Sequence, residues 1–176
     1  MRIVIFGANG QTGRLLTGQA LAAGHDVAAV TRRPAEFPID HDRLTVVEAD
    51  VHDAPSVDRA ADGGFMLNRV LQPLVTATIG KTTYADMRRM ERLVRGSGLD
   101  WTIMRPSGLF DAPGVTAYEL HEDQAPGIFT SRAGLAASVL EQATDTRFVR
   151  KAAAVTTSEG IPTLFQMMRR EALKKK

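Results

Sequence analysis

The apolar positions near the start of the chain change period within about twenty residues. Residues 2–6 form a short apolar run that Gly7 ends, which is typical of a strand buried on both faces of a parallel sheet. From Gln11 the apolar side chains recur at helical spacing, as Leu15, Leu16, Ala20, Leu21 and Ala22. Gly24 and His25 provide the stop signal. The pattern predicts a strand, a glycine loop and a helix.

The rest of the chain continues this alternation of strands and helices. Strands are predicted at 27–30, 44–49, 101–104 (stopped by Arg105-Pro106), 116–120 and 151–155. Helices are predicted at 55–61, 65–75, 84–95, 132–143 and 161–173. Such an order is typical of an α/β protein with a doubly wound parallel sheet between two helical layers.

Composition limits the class of protein further. The chain has 176 residues, of which 44% are apolar, so we expect a single domain over residues 1–176. It contains no Cys and only four His, none at ligand-like spacing, so neither a disulfide nor a metal site is expected. No apolar stretch approaches the ~20 residues that cross a bilayer, so we expect a cytoplasmic protein without a membrane partner.

The net charge of +2 is unevenly distributed. The last eight residues contain five cations and one carboxylate, a net +4, which leaves −2 for the body of the chain. The basic end raises nucleic acid as an alternative partner, but the body has no basic stripe interleaved with aromatic residues. A solvated helix end explains the charges, and we expect no nucleic-acid partner.

The glycine loop carries the strongest chemical signal. Gly7-Ala8-Asn9-Gly10-Gln11-Thr12-Gly13 lies between the first predicted strand and the first helix, where dinucleotide-binding proteins hold the pyrophosphate. The three glycines allow a tight turn, a close approach of the backbone to the phosphates, and close packing of the helix on the strand. We therefore take Gly7, Asn9, Gly10, Gln11, Thr12 and Gly13 as candidate cofactor-binding residues. The alternative is a turn with a packing role only.

About twenty residues beyond the glycines, Arg32 and Arg33 stand where NAD-binding proteins place an acid on the ribose. Guanidinium groups can bind a 2′-phosphate, so NADP(H) is predicted in preference to NAD(H). The alternative is that both arginines are simply solvated loop residues. Asp50 and Val51, at the end of the third predicted strand, are expected near the adenine.

These features resemble the NmrA-like, NAD(P)H-binding branch of the atypical short-chain dehydrogenases/reductases. The resemblance covers the first 62 residues almost throughout and returns at Trp101-Thr102-Ile103-Met104-Arg105-Pro106, and at Thr130-Ser131-Arg132-Ala133-Gly134-Leu135-Ala136. It implies a Rossmann-like fold, and it implies that Pro106 belongs to the cofactor pocket near the nicotinamide. The family usually has Asp in place of Gly134.

Two departures from the family pattern bear on catalysis. Relatives have a further βαβ unit before a helix such as 65–75, whereas only Asp62-Gly63-Gly64 intervenes here, so the chain is predicted to lack one unit after residue 64. Many short-chain reductases use a Tyr-x-x-x-Lys pair, but Tyr84 is followed four residues later by Arg88. Tyr84 is the candidate catalytic proton donor, with an interfacial helix residue as the alternative.

The resemblance implies an NADPH-dependent oxidoreductase that reduces a small carbonyl, quinone or flavin-like acceptor. The alternative is a regulator that binds NAD(P)(H), senses its redox state and does not turn it over. Ser107, His121 and Asp123 do not support a hydrolase, because the chain has no G-x-S-x-G elbow.

Overall fold

A computed structural model describes residues 1–50 and 81–161, with only the backbone for residues 81–88. The first part contains β1 (Arg2–Phe6), α1 (Gln11–Ala22), β2 (Asp26–Thr31), a 3-10 turn (Pro34–Glu36) and β3 (Leu44–Glu48). The second part begins with α2 (Lys81–Gly96), β4 (Thr102–Pro106), β5 (Gly108–Phe110) and β6 (Tyr118–Glu122). It ends with β7 (Phe129–Ser131), α3 (Arg132–Glu141) and β8 (Lys151–Thr157).

The strands form parallel sheets with one antiparallel addition. Among the described residues, β1, β2 and β3 make one sheet in that order, and β4, β8 and β6 make a second. All pairs are parallel except β6 with β8, and β5 and β7 form a small parallel pair of their own. The architecture is the predicted α/β class.

The end of α1 shows how local sequence sets an element boundary. Gly24 has a φ of 86°, in the left-handed region that favours glycine. Its N–H donates to Leu21 O at 3.0 Å, and the next N–H, that of His25, donates to Ala20 O at 3.0 Å. These two bonds form a Schellman motif, so the stop predicted at Gly24 and His25 is confirmed.

One hydrophobic core joins the two three-stranded sheets. Side chains of β1 and β2, such as Ile5 and Val27, lie in the same buried cluster as Met104 of β4 and Val155 of β8. The helices α1 and α3 pack against each other, and Leu135 of α3 is 1% exposed at the centre of this cluster. The glycine loop between β1 and α1 is therefore anchored to the main core on both sides.

Several element boundaries differ from the predictions. Arg105 and Pro106 lie inside β4 and do not end it, because parallel pairing with β8 continues to Pro106 opposite Val155. The strand predicted at 116–120 begins only at Tyr118, where antiparallel pairing with β8 starts. The short pair β5 and β7 was not predicted. The predicted helices at 55–61 and 65–75, the junction of Gly64 with residue 65, and residues 162–173 lie outside the described residues.

Candidate functional site

The turn after β1 is fixed to the neighbouring strand by backbone hydrogen bonds. Gly7 has a φ of 71°, a conformation that favours glycine. The N–H of Gly10 donates to Gly7 O at 3.0 Å, and the N–H of Ala8 donates to Val30 O, in β2, at 3.3 Å. The loop therefore turns tightly and leaves the sheet at the carboxyl ends of β1 and β2.

Gly13 lies where α1 comes closest to this turn. A Cβ atom at Gly13 would lie 2.4 Å from Gly7 O and 2.9 Å from the Cα and O atoms of Ala8. Any side chain there would have to push the helix away from the turn. The structure thus gives Gly13 the packing role that the third glycine of the loop was predicted to have.

The N-terminus of α1 offers unused backbone donors. Gly10 is the N-cap residue in an extended conformation (φ −73°, ψ 164°), and none of the described side chains caps the helix. The helical hydrogen bonds begin with the N–H of Arg14, which donates to Gly10 O at 2.9 Å. The N–H groups of Gln11, Thr12 and Gly13 precede that bond, and such groups at a helix start attract anions.

Arg14 holds the glycine loop through Asn9. Its Nε donates to both the carbonyl O (3.1 Å) and Oδ1 (3.0 Å) of Asn9, and its Nη2 donates to Oδ1 at 2.6 Å. A neutral amide accepts these bonds, so the guanidinium keeps its full positive charge beside the loop. Sequence reasoning missed Arg14, because nothing in the spacing of Asn9 and Arg14 shows that the two side chains meet.

The predicted ribose-binding and adenine-binding residues follow β2 and β3 at the same edge. The parallel register pairs Thr31 with Glu48, and the N–H of Ala49 donates to Thr31 O at 3.2 Å. Arg32 is exposed directly after β2, and Asp50 is half-buried directly after Ala49. These residues therefore lie at the sheet edge that carries the glycine loop, whereas Val51 lies outside the described residues.

The arginine pair is not symmetric. Arg33 Nη1 lies 3.2 Å from Oε2 and 3.4 Å from Oε1 of Glu36, at the end of the 3-10 turn. Arg32 makes no ion pair within residues 1–50 and 81–161. Glu36 was not predicted, although an acid three residues after a loop arginine is the sequence signal that could have found it.

Pro106 lies in the second sheet, at the carboxyl end of β4. The residue after it, Ser107, is fixed by two hydrogen bonds: its hydroxyl donates to Gly127 O at 2.9 Å, and its N–H donates to Thr130 Oγ1 at 3.0 Å. Thr130 Oγ1 in turn donates to Val155 O, in β8, at 2.6 Å. The chain after Pro106 is thus held rigidly at the end of the second sheet.

Tyr84 belongs to α2 by its backbone, and its side chain lies outside what the structure describes. The carboxyl half of α2 is tied to β4 by Glu91, whose two oxygens accept from Arg105 at 3.1 and 2.8 Å. The hydrogen bonds from Arg105 lower the pKa of Glu91 and outweigh the desolvation that acts in the opposite direction. This ion pair fixes α2, the helix of the candidate proton donor, on the second sheet.

An open cleft of about 400 Å³ lies elsewhere, between α1 and α3. It is lined by Gln19 and Ala23, at the far end of α1 from the glycine loop, and by Leu140 and Glu141 of α3. The described residues include no group of three His, Asp or Glu side chains that could hold a metal ion. Their helices include none that is long and apolar enough to span a membrane.

The glycine loop fits a dinucleotide on two observations. The close packing at Gly13 brings the start of α1 against the turn, and the uncapped N–H groups there suit a pyrophosphate. Arg32 stands at the neighbouring strand end and makes no ion pair in the part of the chain that the structure describes, so its charge suits a further phosphate.

Comparison with known proteins identifies the family of the chain and its fold. A family described as NAD(P)H-binding matches two segments of the chain, residues 7–65 and 66–146. A short-chain dehydrogenase/reductase from Veillonella parvula, solved in complex with NADP, is 21% identical with a TM-score of 0.77, over 93% of this chain and 99% of the other. A Rossmann-fold NAD(P)-binding protein from Shigella flexneri is 20% identical with a TM-score of 0.74, over 93% and 98%.

An anaerobilin reductase from Escherichia coli O157:H7 is 19% identical with a TM-score of 0.68, over 93% of this chain and 100% of the other. Uncharacterised proteins from Mycobacterium tuberculosis and Mycobacterium bovis are 28% identical over 132 residues, which is 62% of this chain. The match covers only 15% of the length of these mycobacterial relatives. The structural matches establish the Rossmann fold.

Proposed function

Since this chain belongs to the NAD(P)H-binding family, we propose that it is an NADPH-dependent oxidoreductase that reduces a small carbonyl, quinone or flavin-like acceptor. The observation that carries this proposal is the turn after β1: the start of α1 has no side-chain cap, and Arg32, at the same edge of the sheet, makes no ion pair within the described residues. An anionic dinucleotide with a 2′-phosphate would use both features. We also propose that the chain belongs to the NmrA-like branch, which its sequence resembles.

Different residues would bind different parts of the cofactor. The N–H groups of Gln11, Thr12 and Gly13 would bind the pyrophosphate, with Gly10 leaving room for its approach. Arg32 would bind the 2′-phosphate, and Asp50 would lie near the adenine. The NADP complex of the Veillonella protein supports the choice of NADP.

A reduced nicotinamide, when bound, supplies a hydride to the acceptor. The chain would supply orientation and the proton. Pro106 would lie against the nicotinamide end of the pocket, on a segment that Ser107 holds in place. The hydroxyl of Tyr84 would donate the proton, and a pocket that excludes water would keep the hydride from being lost.

Calorimetry with NADPH and NADH tests the cofactor assignment. We expect Arg32→Ala to weaken NADPH binding about tenfold and to leave NADH binding nearly unchanged, because a charge-assisted bond to the 2′-phosphate is lost. Arg43→Ala is the matched control, because Arg43 is an exposed arginine just before β3, at the opposite edge of the sheet. Absence of NADPH binding, or an unchanged affinity in Arg32→Ala, would contradict the proposal.

A regulator that senses the cofactor without turnover is the second candidate. The residue four positions after Tyr84 is Arg88, where many relatives have the Lys that supports catalysis. NADPH oxidation with a panel of quinones, flavins and aldehydes separates the two functions. An enzyme should exceed spontaneous oxidation with one acceptor class, and Tyr84→Phe should lower kcat about a hundredfold without changing the Kd for NADPH. Rates equal to spontaneous oxidation across the panel would favour the regulator.

A further inference from the structure

The segment after β2 contains two arginines, and an acid that forms an ion pair with the second of them. Glu36 ends the 3-10 turn that begins at Pro34, and the turn brings its carboxylate to Arg33, three residues earlier. The Nη1 atom of Arg33 is shared between the two carboxylate oxygens, at 3.2 and 3.4 Å. Arg33 therefore has an acidic partner, whereas Arg32 has none within residues 1–50 and 81–161.

The ion pair is weak enough to exchange. The side chains of Arg33 and Glu36 are 70% and 59% exposed, so water screens their attraction and the pair contributes little to folding. A phosphate with two charges and three acceptor oxygens is a stronger partner for Arg33 than a single exposed carboxylate. It could therefore take Arg33 from Glu36, but the displaced carboxylate would remain close to the phosphate.

We propose that Glu36 is a specificity-determining residue that limits the preference for NADPH over NADH. This inference rests on the proposed function. With Glu36 ionised, the three side chains of the segment carry a net +1, and the carboxylate both competes for Arg33 and repels a 2′-phosphate. A free 2′-hydroxyl meets no such repulsion and can donate a hydrogen bond to Glu36. Arg32 thus favours NADPH, and Glu36 reduces the ratio of the affinities for NADPH and NADH.

The test compares two adenosine fragments that differ only in the 2′-phosphate. Binding of adenosine 2′,5′-bisphosphate and of 5′-AMP is measured by calorimetry at low salt, for the wild-type chain and for Glu36→Gln. We expect Glu36→Gln to tighten the bisphosphate about three- to tenfold, the size of effect that removing one unit charge near a dianion in water produces. Binding of 5′-AMP should stay the same or weaken slightly.

Asp42→Asn is the matched control. It removes one exposed carboxylate from the same connection, but Asp42 lies next to the start of β3, at the opposite edge of the sheet. The affinity of Asp42→Asn for the bisphosphate should equal that of the wild type. This result would separate a local effect of Glu36 from a general effect of net charge. In an Arg33→Ala background, Glu36→Gln should increase the affinity for the bisphosphate less than it does in the wild type, because no guanidinium is released.

The outcomes distinguish this inference from the proposed function. The role of Glu36 is overturned if Glu36→Gln leaves the ratio of the affinities for the bisphosphate and for 5′-AMP unchanged. If the fragments or the whole dinucleotides still bind in that case, the proposed function stands. An equal gain in Asp42→Asn overturns the role of Glu36 as well. Binding of neither the fragments nor NADPH and NADH, to the wild type or the variant, overturns both proposals.

Discussion

At Gly13 the absence of a single side chain decides whether α1 can approach the turn after β1. A Cβ atom there would lie 2.4 Å from Gly7 O, a backbone atom that no rotamer can move away. We expect Gly13→Ala to destabilise the protein by about 1–3 kcal/mol, as overpacking of a tight contact does, and to abolish NADPH binding. Urea denaturation and calorimetry measure the two effects.

The same helix offers a control of opposite sign. Gly18 lies on the exposed side of α1, and a Cβ atom there would meet nothing within 4 Å. Gly18→Ala should therefore stabilise the helix by up to about 1 kcal/mol and leave cofactor binding intact. Equal behaviour of the two alanine variants would show that the close contact at Gly13 has no energetic importance.

Gly134 lies in a confined space at the start of α3. Ser131 caps α3 by accepting from the N–H of Gly134 at 2.9 Å, and its hydroxyl also lies 2.7 Å from that of Thr116. A Cβ atom at Gly134 would lie 2.8 Å from Ser131 Oγ and 3.3 Å from Thr116 Oγ1. Any side chain at position 134, including the Asp that the resemblance to the family implies there, would therefore meet these two hydroxyls.

At the level of residues, sequence reasoning was strongest where chemistry depends on the backbone. The glycine loop was found because glycine spacing reports directly on turn geometry and close approach. Arg14 and Glu36 were missed because their roles depend on where long side chains end. Three rotatable bonds or more separate such groups from the backbone, so spacing alone does not determine which partner they meet.

Between elements, the pair of Glu91 and Arg105 is the polar connection that joins α2 to β4. We expect Glu91→Gln to lower the free energy of unfolding by about 1 kcal/mol at neutral pH, a modest value because Arg105 is more than a third exposed. Trp101, buried beside α2, keeps the apolar part of the same contact in place. Urea denaturation provides the measurement.

This contribution should depend on pH. Because Arg105 lowers the pKa of Glu91 in the folded chain, the carboxylate stabilises the fold fully above the ordinary pKa of a glutamate. The contribution is lost as the pH falls through the lowered folded pKa, so the difference between wild type and Glu91→Gln should shrink in acid. Glu159→Gln, at an exposed carboxylate that makes no ion pair within the described residues, should show no such dependence. A difference that is constant from neutral to acidic pH would refute this role of the pair.

Among the elements, those with a long or uniform apolar pattern were predicted well. The strand β2 is buried from Val27 to Thr31, and α1 ends at its glycine stop, as expected. The pair β5 and β7 was missed because three residues cannot show a period. The ends of β4 and β6 are set by pairing with β8, a strand 29 or more residues further along the chain, which local sequence does not report.

For the whole molecule, the predicted α/β class is confirmed. The predicted loss of one βαβ unit after residue 64 stays a prediction, and the family match has a boundary near that position. Its two segments meet between residues 65 and 66, one residue from the predicted break after residue 64. Among residues 1–50 and 81–161, no strand pairing links the sheet of β1 to the sheet of β4. This arrangement of the described strands was not predicted, because sheet order depends on contacts between distant parts of the chain.

The contact of α1 with α3 has a consequence for biosynthesis. Gln19 Nε2 donates to Ala133 O at 3.1 Å, although 114 residues separate them in sequence. Translation at about 5–20 residues per second leaves roughly 6 to 23 s between the synthesis of the two partners. Through that interval β1, α1 and β2 can assemble from neighbouring sequence, but the apolar side of α1 that α3 later covers stays open to water. The nascent chain thus passes through a stage at which chaperones have a surface to bind, and the stage ends only when α3 leaves the ribosome.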